Sequence, residues 1–203
     1  MLTLENISCR RGDNVLFKNL GFTMGDGAIL VIRGENGSGK TTLLETIACL
    51  RKPAEGRVLY ANKDVRGEHY KEYCDIIQYS GHKNAIKMQM TVQENIRFWA
   101  GLKGNNAAVA AAIAFFGLDG YAADNCVTLS SGYQKRVALA LLMVTNSEIW
   151  FLDEPFANLD EEGKNTLATL ISAKCERGGS VIITAHGELP FKNYAEINLG
   201  EFA

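Results

Sequence analysis

A glycine-rich segment near the N-terminus carries the residue types that bind phosphate. It reads Gly-Glu-Asn-Gly-Ser-Gly-Lys-Thr-Thr and fits the pattern G-x-x-x-x-G-K-[ST]. In that pattern the glycines let successive backbone N–H groups curve around phosphate oxygens, and the following helix adds the positive end of its dipole. The predicted nucleotide-binding residues are Gly34, Glu35, Asn36, Gly37, Ser38, Gly39, Lys40, Thr41 and Thr42.

Three side chains of this segment have distinct predicted roles. Lys40 is expected to reach the β- and γ-phosphates, Thr41 to offer its hydroxyl to Mg²⁺, and Thr42 to lie near the α-phosphate. The alternative is a glycine turn with an exposed lysine. The apolar run before the segment (28–32) and the helical pattern after it (43–48) disfavour that alternative, because a phosphate-binding loop joins a strand to a helix.

Two further apolar strands end in side chains that suit phosphoryl transfer. Asp153 and Glu154 follow the run 149–152, and His186 follows the run 181–185. In open α/β sheets, ligands bind at the carboxyl ends of the strands. Asp153 is predicted to coordinate Mg²⁺, and Glu154 to act as the general base that orients water for attack on the γ-phosphate. The alternative for Glu154 is a solvated acid near a helix terminus.

The apolar patterns predict the elements that position these residues. Residues 2–7 and 15–24 alternate as an antiparallel strand pair joined by a turn at 10–14, and further strands are predicted at 28–32, 57–60, 76–79, 149–152, 181–184 and 195–199. Helical patterns cover 91–118, 135–145 and 161–177, with Ser130 or Ser131 as the N-cap of the second. Strands that alternate with helices predict an α/β fold with a mostly parallel, covered sheet.

Composition narrows the possible functions. The chain has 203 residues, 47% of them hydrophobic, and a net charge of −2, so no basic patch for nucleic acid is expected. Its five cysteines form no C-x-x-C pair, which predicts neither a zinc site nor a disulfide framework. No apolar run reaches the roughly 18 residues of a membrane span. We therefore expect a chain that does not span a membrane, although it could dock on a protein that does.

The chain resembles the ATP-binding cassette (ABC) family, the nucleotide-binding subunits of ABC transporters. Three motifs carry the resemblance: the segment 34–42 as Walker A, Leu-Ser-Ser-Gly-Tyr at 129–133 as the signature, and 149–154 as Walker B. Residues 157–160 resemble the D-loop, and His186 stands where the family has its switch histidine. The order and spacing of these motifs match over essentially the whole chain.

The resemblance implies one ABC ATP-binding domain over residues 1–203. Its fold would be that of a P-loop NTPase, with a RecA-like parallel-sheet core, an antiparallel β subdomain and a small α-helical subdomain at about 84–135. It implies an ATPase that uses ATP and Mg²⁺ and works as a head-to-tail homodimer, with each ATP held between one P-loop and the partner's signature. Ser130 and Gly132 would contact the partner's γ-phosphate, Asp160 would contribute to the nucleotide site, and His186 would contact the γ-phosphate in its own subunit.

The sequence departs from the family pattern at several positions. Ser131 and Tyr133 replace a glycine and the glutamine of the usual signature, which could slow closure or hydrolysis. His82 stands at the position of the Q-loop glutamine, where it could bind metal or position water. Arg11 falls where the family has an aromatic residue against adenine, and its guanidinium could stack on the base instead.

A subfamily is also indicated. Gly81-His82, the segment 91–95 and the short chain resemble the ATP-binding subunits of the haem exporters of bacterial cytochrome c maturation. That resemblance implies a membrane-spanning permease partner, docked on the surface formed by the 82–91 loop and the helical insertion. It also implies a peripheral location on the cytoplasmic face of the bacterial inner membrane.

Four other functions are weighed against this one. The chain could be the ATPase subunit of a different ABC transporter, or a cassette that binds ATP with weak hydrolysis. The retained Lys40, Asp153, Glu154 and His186 disfavour a binding-only cassette. A soluble ABC ATPase of DNA repair or translation normally needs two cassettes or a long coiled coil, and a P-loop kinase would not explain the signature before Asp153.

Overall fold

The computed structural model describes residues 1–203 and contains two β-sheets surrounded by helices. The nine strands are β1 (Leu2–Arg11), β2 (Asn14–Met24), β3 (Ile29–Arg33), β4 (Glu55–Tyr60), β5 (Lys63–Asp64), β6 (Ile77–Ser80), β7 (Ile149–Asp153), β8 (Ser180–Thr184) and β9 (Ala195–Asn198). The six α-helices are α1 (Lys40–Ile47), α2 (Tyr70–Ile76), α3 (Val92–Leu102), α4 (Val109–Phe115), α5 (Ser131–Val144) and α6 (Glu161–Glu176).

The larger sheet is entirely parallel and has the strand order β6-β7-β8-β3-β9. Its central strands are buried on both faces because their apolar residues alternate between two cores. In β3, Leu30 and Ile32 face one core, whereas Ile29 and Val31 face the other. This arrangement brings the carboxyl ends of β3, β7 and β8 together at one edge of the sheet.

The smaller sheet is antiparallel, with the order β2-β1-β4-β5, and it covers one face of the parallel sheet together with α1. Strands β1 and β2 extend further into their turn than the sequence predicted. Only Gly12 and Asp13 lie between them, and Gly12 has the positive φ of +61° that a tight hairpin requires. The predicted α/β P-loop fold, with a parallel core and an antiparallel sheet, is confirmed.

Helices α3, α4 and α5 pack together and contribute to the core on the other face of the parallel sheet. Helix α3 begins with a capping box in which Thr91 and Glu94 bond to each other's backbone N–H groups. The fully buried Asn95 binds the preceding loop, because its amide bonds to the backbone of Lys87 in both directions and to the sulfur of Cys126. None of the helices combines the length and hydrophobicity needed to cross a bilayer.

Two elements of the structure, α2 and β5, were not predicted from the sequence. Helix α2 was missed because only Tyr73 among its seven residues is buried, so it shows no apolar stripe. Strand β5, with two residues, is too short to give a pattern. The strand predicted at 76–79 is β6 (Ile77–Ser80), which is half-buried because it lies at the edge of the parallel sheet.

Candidate functional site

The phosphate-binding loop connects the end of β3 to the first turn of α1. Gly34, Gly37 and Gly39 have φ values of +148°, +88° and +103°, which other residues rarely adopt. At Gly39 space is restricted as well, since a Cβ there would lie 3.0 Å from the ring of Phe17. The loop therefore requires glycine at this position, and the antiparallel sheet forms one of its walls.

Lys40 lies inside this loop with its side chain buried. Its ammonium donates to the carbonyl oxygens of Gly34 and Glu35, both at 3.0 Å, and has no carboxylate in ion-pair range. Burial lowers the pKa of Lys40, and the carboxylates of Glu154 and Asp153 partly oppose that effect. Ser38 adds a buried hydroxyl that has no hydrogen-bond partner within the chain. A cation and a free donor in one glycine cradle fit the anionic phosphates of a nucleotide.

Asp153 and Thr41 come together although they are 112 positions apart in the sequence. The Thr41 hydroxyl lies 3.0 and 3.2 Å from the two carboxylate oxygens of Asp153, and the Thr184 hydroxyl donates to the same carboxylate at 2.5 Å. Asp153 is almost fully buried. These oxygen ligands fit Mg²⁺, which is held in nucleotide sites by one or two carboxylates plus phosphates.

Sequence reasoning missed Thr184. Its hydroxyl accepts the Glu154 N–H at 2.9 Å while donating to Asp153, so it orients both acids of the Walker B strand. The available signal was a hydroxyl residue at the end of the otherwise apolar strand Val181–Thr184.

Glu154 has a left-handed backbone, with φ at +46°, which is strained for a residue with a side chain. Its N–H bonds to both the carbonyl and the hydroxyl of Thr184, and these bonds fix the turn. The Glu154 carboxylate lies 3.3 Å from the Nε2 atom of His186. It also faces the cavity lined by the phosphate-binding loop. The structure thus brings Lys40, Thr41, Asp153, Glu154 and His186 to one edge of the parallel sheet.

The signature residues form the start of α5. Of the two candidate N-caps, Ser130 is the cap, and its hydroxyl accepts the Tyr133 N–H at 3.4 Å. Gly132 lies close to the Asn158 carbonyl, 3.3 Å from where a Cβ would stand. The ring of Tyr133 packs on Tyr121 with a centroid separation of 4.3 Å.

Asp160 has partners within the chain. Its carboxylate caps α6 by accepting the Gly163 N–H at 2.9 Å and pairs with Arg136 of α5 at 2.7 Å. These hydrogen bonds lower the pKa of Asp160, with Arg136 as the largest cause. Arg136, which sequence reasoning did not single out, also reaches the Phe116 carbonyl. Asp160 therefore joins the D-loop to the signature helix, and its predicted nucleotide contact stays a prediction.

Arg11 and His82 differ in their surroundings. Arg11, at the end of β1, lines the same cavity as Gly37, Lys40 and Thr42. His82 is exposed in the loop after β6, two residues beyond Ser80, which pairs with Leu152. Its side chain makes no hydrogen bond or ion pair, and its predicted metal contact stays a prediction.

Comparison with known proteins identifies the class. A family model described as ABC transporter matches residues 17–157. The chain belongs to the ABC transporter family, as the motifs predicted. It is accordingly an ATP-binding cassette with ATPase activity, and the predicted enzyme class is confirmed.

Curated relatives narrow the similarity. The chain is 41% identical over 186 residues to the cytochrome c biogenesis ATP-binding export protein CcmA of Wolbachia pipientis wMel, covering 92% of this chain and 89% of the relative. It is 38% identical to the CcmA protein of Rhizobium johnstonii, covering 100% and 95%. The CcmA protein of Pseudomonas putida GB-1 is 39% identical, with 100% and 98% covered. The predicted resemblance to this group is confirmed.

Solved structures agree on the fold. A putative ABC transporter ATP-binding protein from Pyrococcus furiosus superposes with a TM-score of 0.85 at 26% identity, covering 100% of this chain and 98% of the other. The cassette MJ0796, solved as a dimer in a post-hydrolysis state bound to ADP and Pi, gives a TM-score of 0.77 at 26% identity, with 92% and 88% covered.

Proposed function

We propose that this chain is the ATP-hydrolysing subunit of an exporter that serves cytochrome c biogenesis, with haem as the exported compound. The observation that carries the proposal is similarity over the full length to export proteins of that pathway, at 38% identity and 100% coverage for the Rhizobium relative. The site supports the ATPase part, because the residues for phosphate binding and water activation converge at one sheet edge.

The residues have the following proposed roles. Lys40 and the glycine loop bind the β- and γ-phosphates, Arg11 stacks on the base, and Thr41 and Asp153 hold Mg²⁺, with His82 as a further candidate ligand. The metal supplies positive charge against the phosphates. Glu154 takes the proton of the attacking water, and His186 contacts the γ-phosphate next to it. The 3.3 Å separation of the last two side chains supports this pairing.

The proposed assembly is a homodimer on a membrane-spanning permease. Ser130, Gly132 and Asp160 would complete the partner's nucleotide site. We place the chain on the cytoplasmic face of the inner membrane and treat residues 1–203 as one domain with a helical subdomain at about 84–135. The exposed side chains of Met88, Phe98 and Val127 support docking at this subdomain, since the Met88 carbonyl accepts the Val127 N–H and brings these segments together.

The test is purification of the tagged chain from detergent-solubilised membranes of its own cell, followed by mass spectrometry. We expect a multi-span permease together with cytochrome c biogenesis proteins. The Phe98→Asp variant should lose the permease, whereas Leu50→Asp, a change at an even more exposed apolar residue outside the helical subdomain, should retain it. A different permease would overturn the cytochrome c assignment, and capture of soluble complexes alone would overturn the transporter assignment.

A further inference from the structure

Arg33, the last residue of β3, connects three parts of the chain. Its Nε donates to Glu196 at 2.7 Å, one Nη donates to the Gly187 carbonyl at 2.5 Å, and the other donates to the Tyr194 hydroxyl at 3.2 Å. Its side chain is 20% exposed, and its charged end lies 5.9 Å from the centre of the Tyr194 ring. A planar guanidinium with three separate acceptors is held in one orientation.

The hydrogen bond to Gly187 is one of two that hold the backbone on either side of His186. On the other side of the histidine, the Ala185 N–H donates to the Ile32 carbonyl at 3.2 Å. Consecutive residues of β3 therefore bind the residues immediately before and after His186. The same two residues lead directly into the phosphate-binding loop, so these hydrogen bonds fix the position of the histidine relative to that loop.

The segment after His186 has little other fixation. Gly187 has a left-handed φ of +73°, and no atom lies within 4 Å of where its Cβ would stand. His186 itself is 46% exposed, with Glu154 as its single ion-pair partner. The next packed side chain is Leu189, which lies partly buried against the core, followed by aromatic contacts from Phe191 to Phe156 at 5.9 Å and to Tyr194 at 6.1 Å. The Arg33 guanidinium is the side chain that binds the backbone of the turn next to the histidine.

We propose that Arg33 is a positioning residue that holds His186 in register with the phosphate-binding loop and Glu154. This inference rests on the proposed contact of His186 with the γ-phosphate. Arg33 touches neither nucleotide nor metal in this role and acts through the Gly187 carbonyl. Its loss should affect the chemical step more than nucleotide binding, because a misplacement of about 1 Å at a reacting group is costly in rate.

The experiment compares Arg33→Met with His186→Ala and the double variant in the full-length chain. ATP hydrolysis is measured as kcat and KM, and amide hydrogen exchange of residues 184–189 is measured without nucleotide. Arg57→Met is the matched control, because Arg57 also pairs with a glutamate, Glu5 at 2.6 Å, on a surface away from the site. Arg33→Lys, which keeps the charge and one donor, tests rescue, and thermal unfolding identifies any variant that does not fold.

We expect Arg33→Met to lower kcat about tenfold with KM changed less than about threefold, and to speed exchange at 184–189 about tenfold. Arg57→Met should change neither, and Arg33→Lys should restore part of kcat. In the His186→Ala background the Arg33 change should have no further effect on kcat, because residues that act as one unit are not additive.

Different failures have different meanings. If Arg33→Met leaves both kcat and exchange unchanged while His186→Ala lowers kcat, the positioning role is wrong and the histidine's role stands. Additive losses in the double variant would also overturn the positioning role. If His186→Ala has no effect on kcat, the proposed role of the histidine is wrong. Should Arg33→Met not fold, Arg33→Lys serves as the partial-loss variant: a kcat below that of the parent together with faster exchange supports the positioning role, and parental values of both overturn it.

Discussion

Glu154 shows how one residue can combine strain with function. A left-handed backbone at a non-glycine residue costs on the order of 1 kcal/mol or more, and the two bonds from its N–H to Thr184 hold it there. The Glu154 carboxylate lies beside His186 and lines the phosphate-binding cavity. The two adjacent acids therefore have different environments, with Asp153 buried and Glu154 accessible, as the proposed roles of metal ligand and base require.

At this scale we predict that Glu154→Gln slows ATP hydrolysis by about a hundredfold or more, because it keeps the shape and removes the proton acceptor. ATP binding, followed by titration, should be retained. Glu161→Gln, at an exposed glutamate on α6, is the control and should hydrolyse ATP normally. Normal turnover in Glu154→Gln would show that another group activates the water.

Sequence reasoning singled out candidate-site residues that belong to contiguous motifs and missed residues whose contacts run between strands. Lys40, Asp153 and Glu154 are recognisable from the spacing of residues in their motifs. Thr184 and Arg33 are not, because their partners lie on other strands or in the segments next to them. The order of the strands in the sheet cannot be read from a local sequence pattern. The sequence signal for such residues is a hydroxyl or cationic side chain at the end of an otherwise apolar strand.

At the scale of elements, Asp160 couples the N-terminus of α6 to α5. Its carboxylate serves as the N-cap and as the partner of Arg136, whose side chain is nearly buried. The pKa of Asp160 is lowered from its ordinary value of 3.8, with the Arg136 hydrogen bond as the main cause. The charged form is therefore favoured by folding.

The sign of the pH dependence follows. Because the folded pKa lies below the unfolded one, the stabilisation is complete above the ordinary value and is lost as pH falls through the lowered pKa. Asp160→Asn keeps the N-cap and removes the charge, so its urea midpoint should be lower than that of the parent at pH 7, with the difference shrinking below about pH 4. Asp119→Asn, at an exposed aspartate, should show no such difference. A gap that persists unchanged into acid would contradict the ion-pair explanation.

Elements were predictable where both faces of a strand, or one stripe of a helix, are apolar. The strands β3, β7 and β8 are continuous apolar runs because each faces two cores. Helix α2 has no such apolar pattern, since it lies on the surface and only one of its residues, a tyrosine, is buried. Its existence depends on packing that the segment's own composition does not encode.

At the scale of the whole molecule, the phosphate-binding loop and the signature helix belong to different layers of one chain. The proposed dimer would join them between subunits. We predict that Lys40→Ala and Ser130→Ala chains are each inactive alone, and that their equimolar mixture recovers about a quarter of parental ATP hydrolysis. Half of the dimers would be mixed, and each mixed dimer would retain one intact composite site.

The control is each variant alone, measured at the same total protein concentration as the mixture. Recovery only in the heterologous mixture supports the trans arrangement. No recovery, in a mixture shown by size-exclusion chromatography to contain ATP-dependent dimers, would mean that each site takes both residues from one subunit.

The buried amide of Asn95 has a mechanical consequence for such an assembly. It binds Lys87 and Cys126, the Met90 carbonyl accepts the Cys126 N–H, and Gln134 of the signature helix donates to the Cys126 carbonyl. These hydrogen bonds form a continuous path from the loop at 87–91 to α5. A partner that displaces this loop is therefore expected to displace the N-terminal end of the signature helix with it.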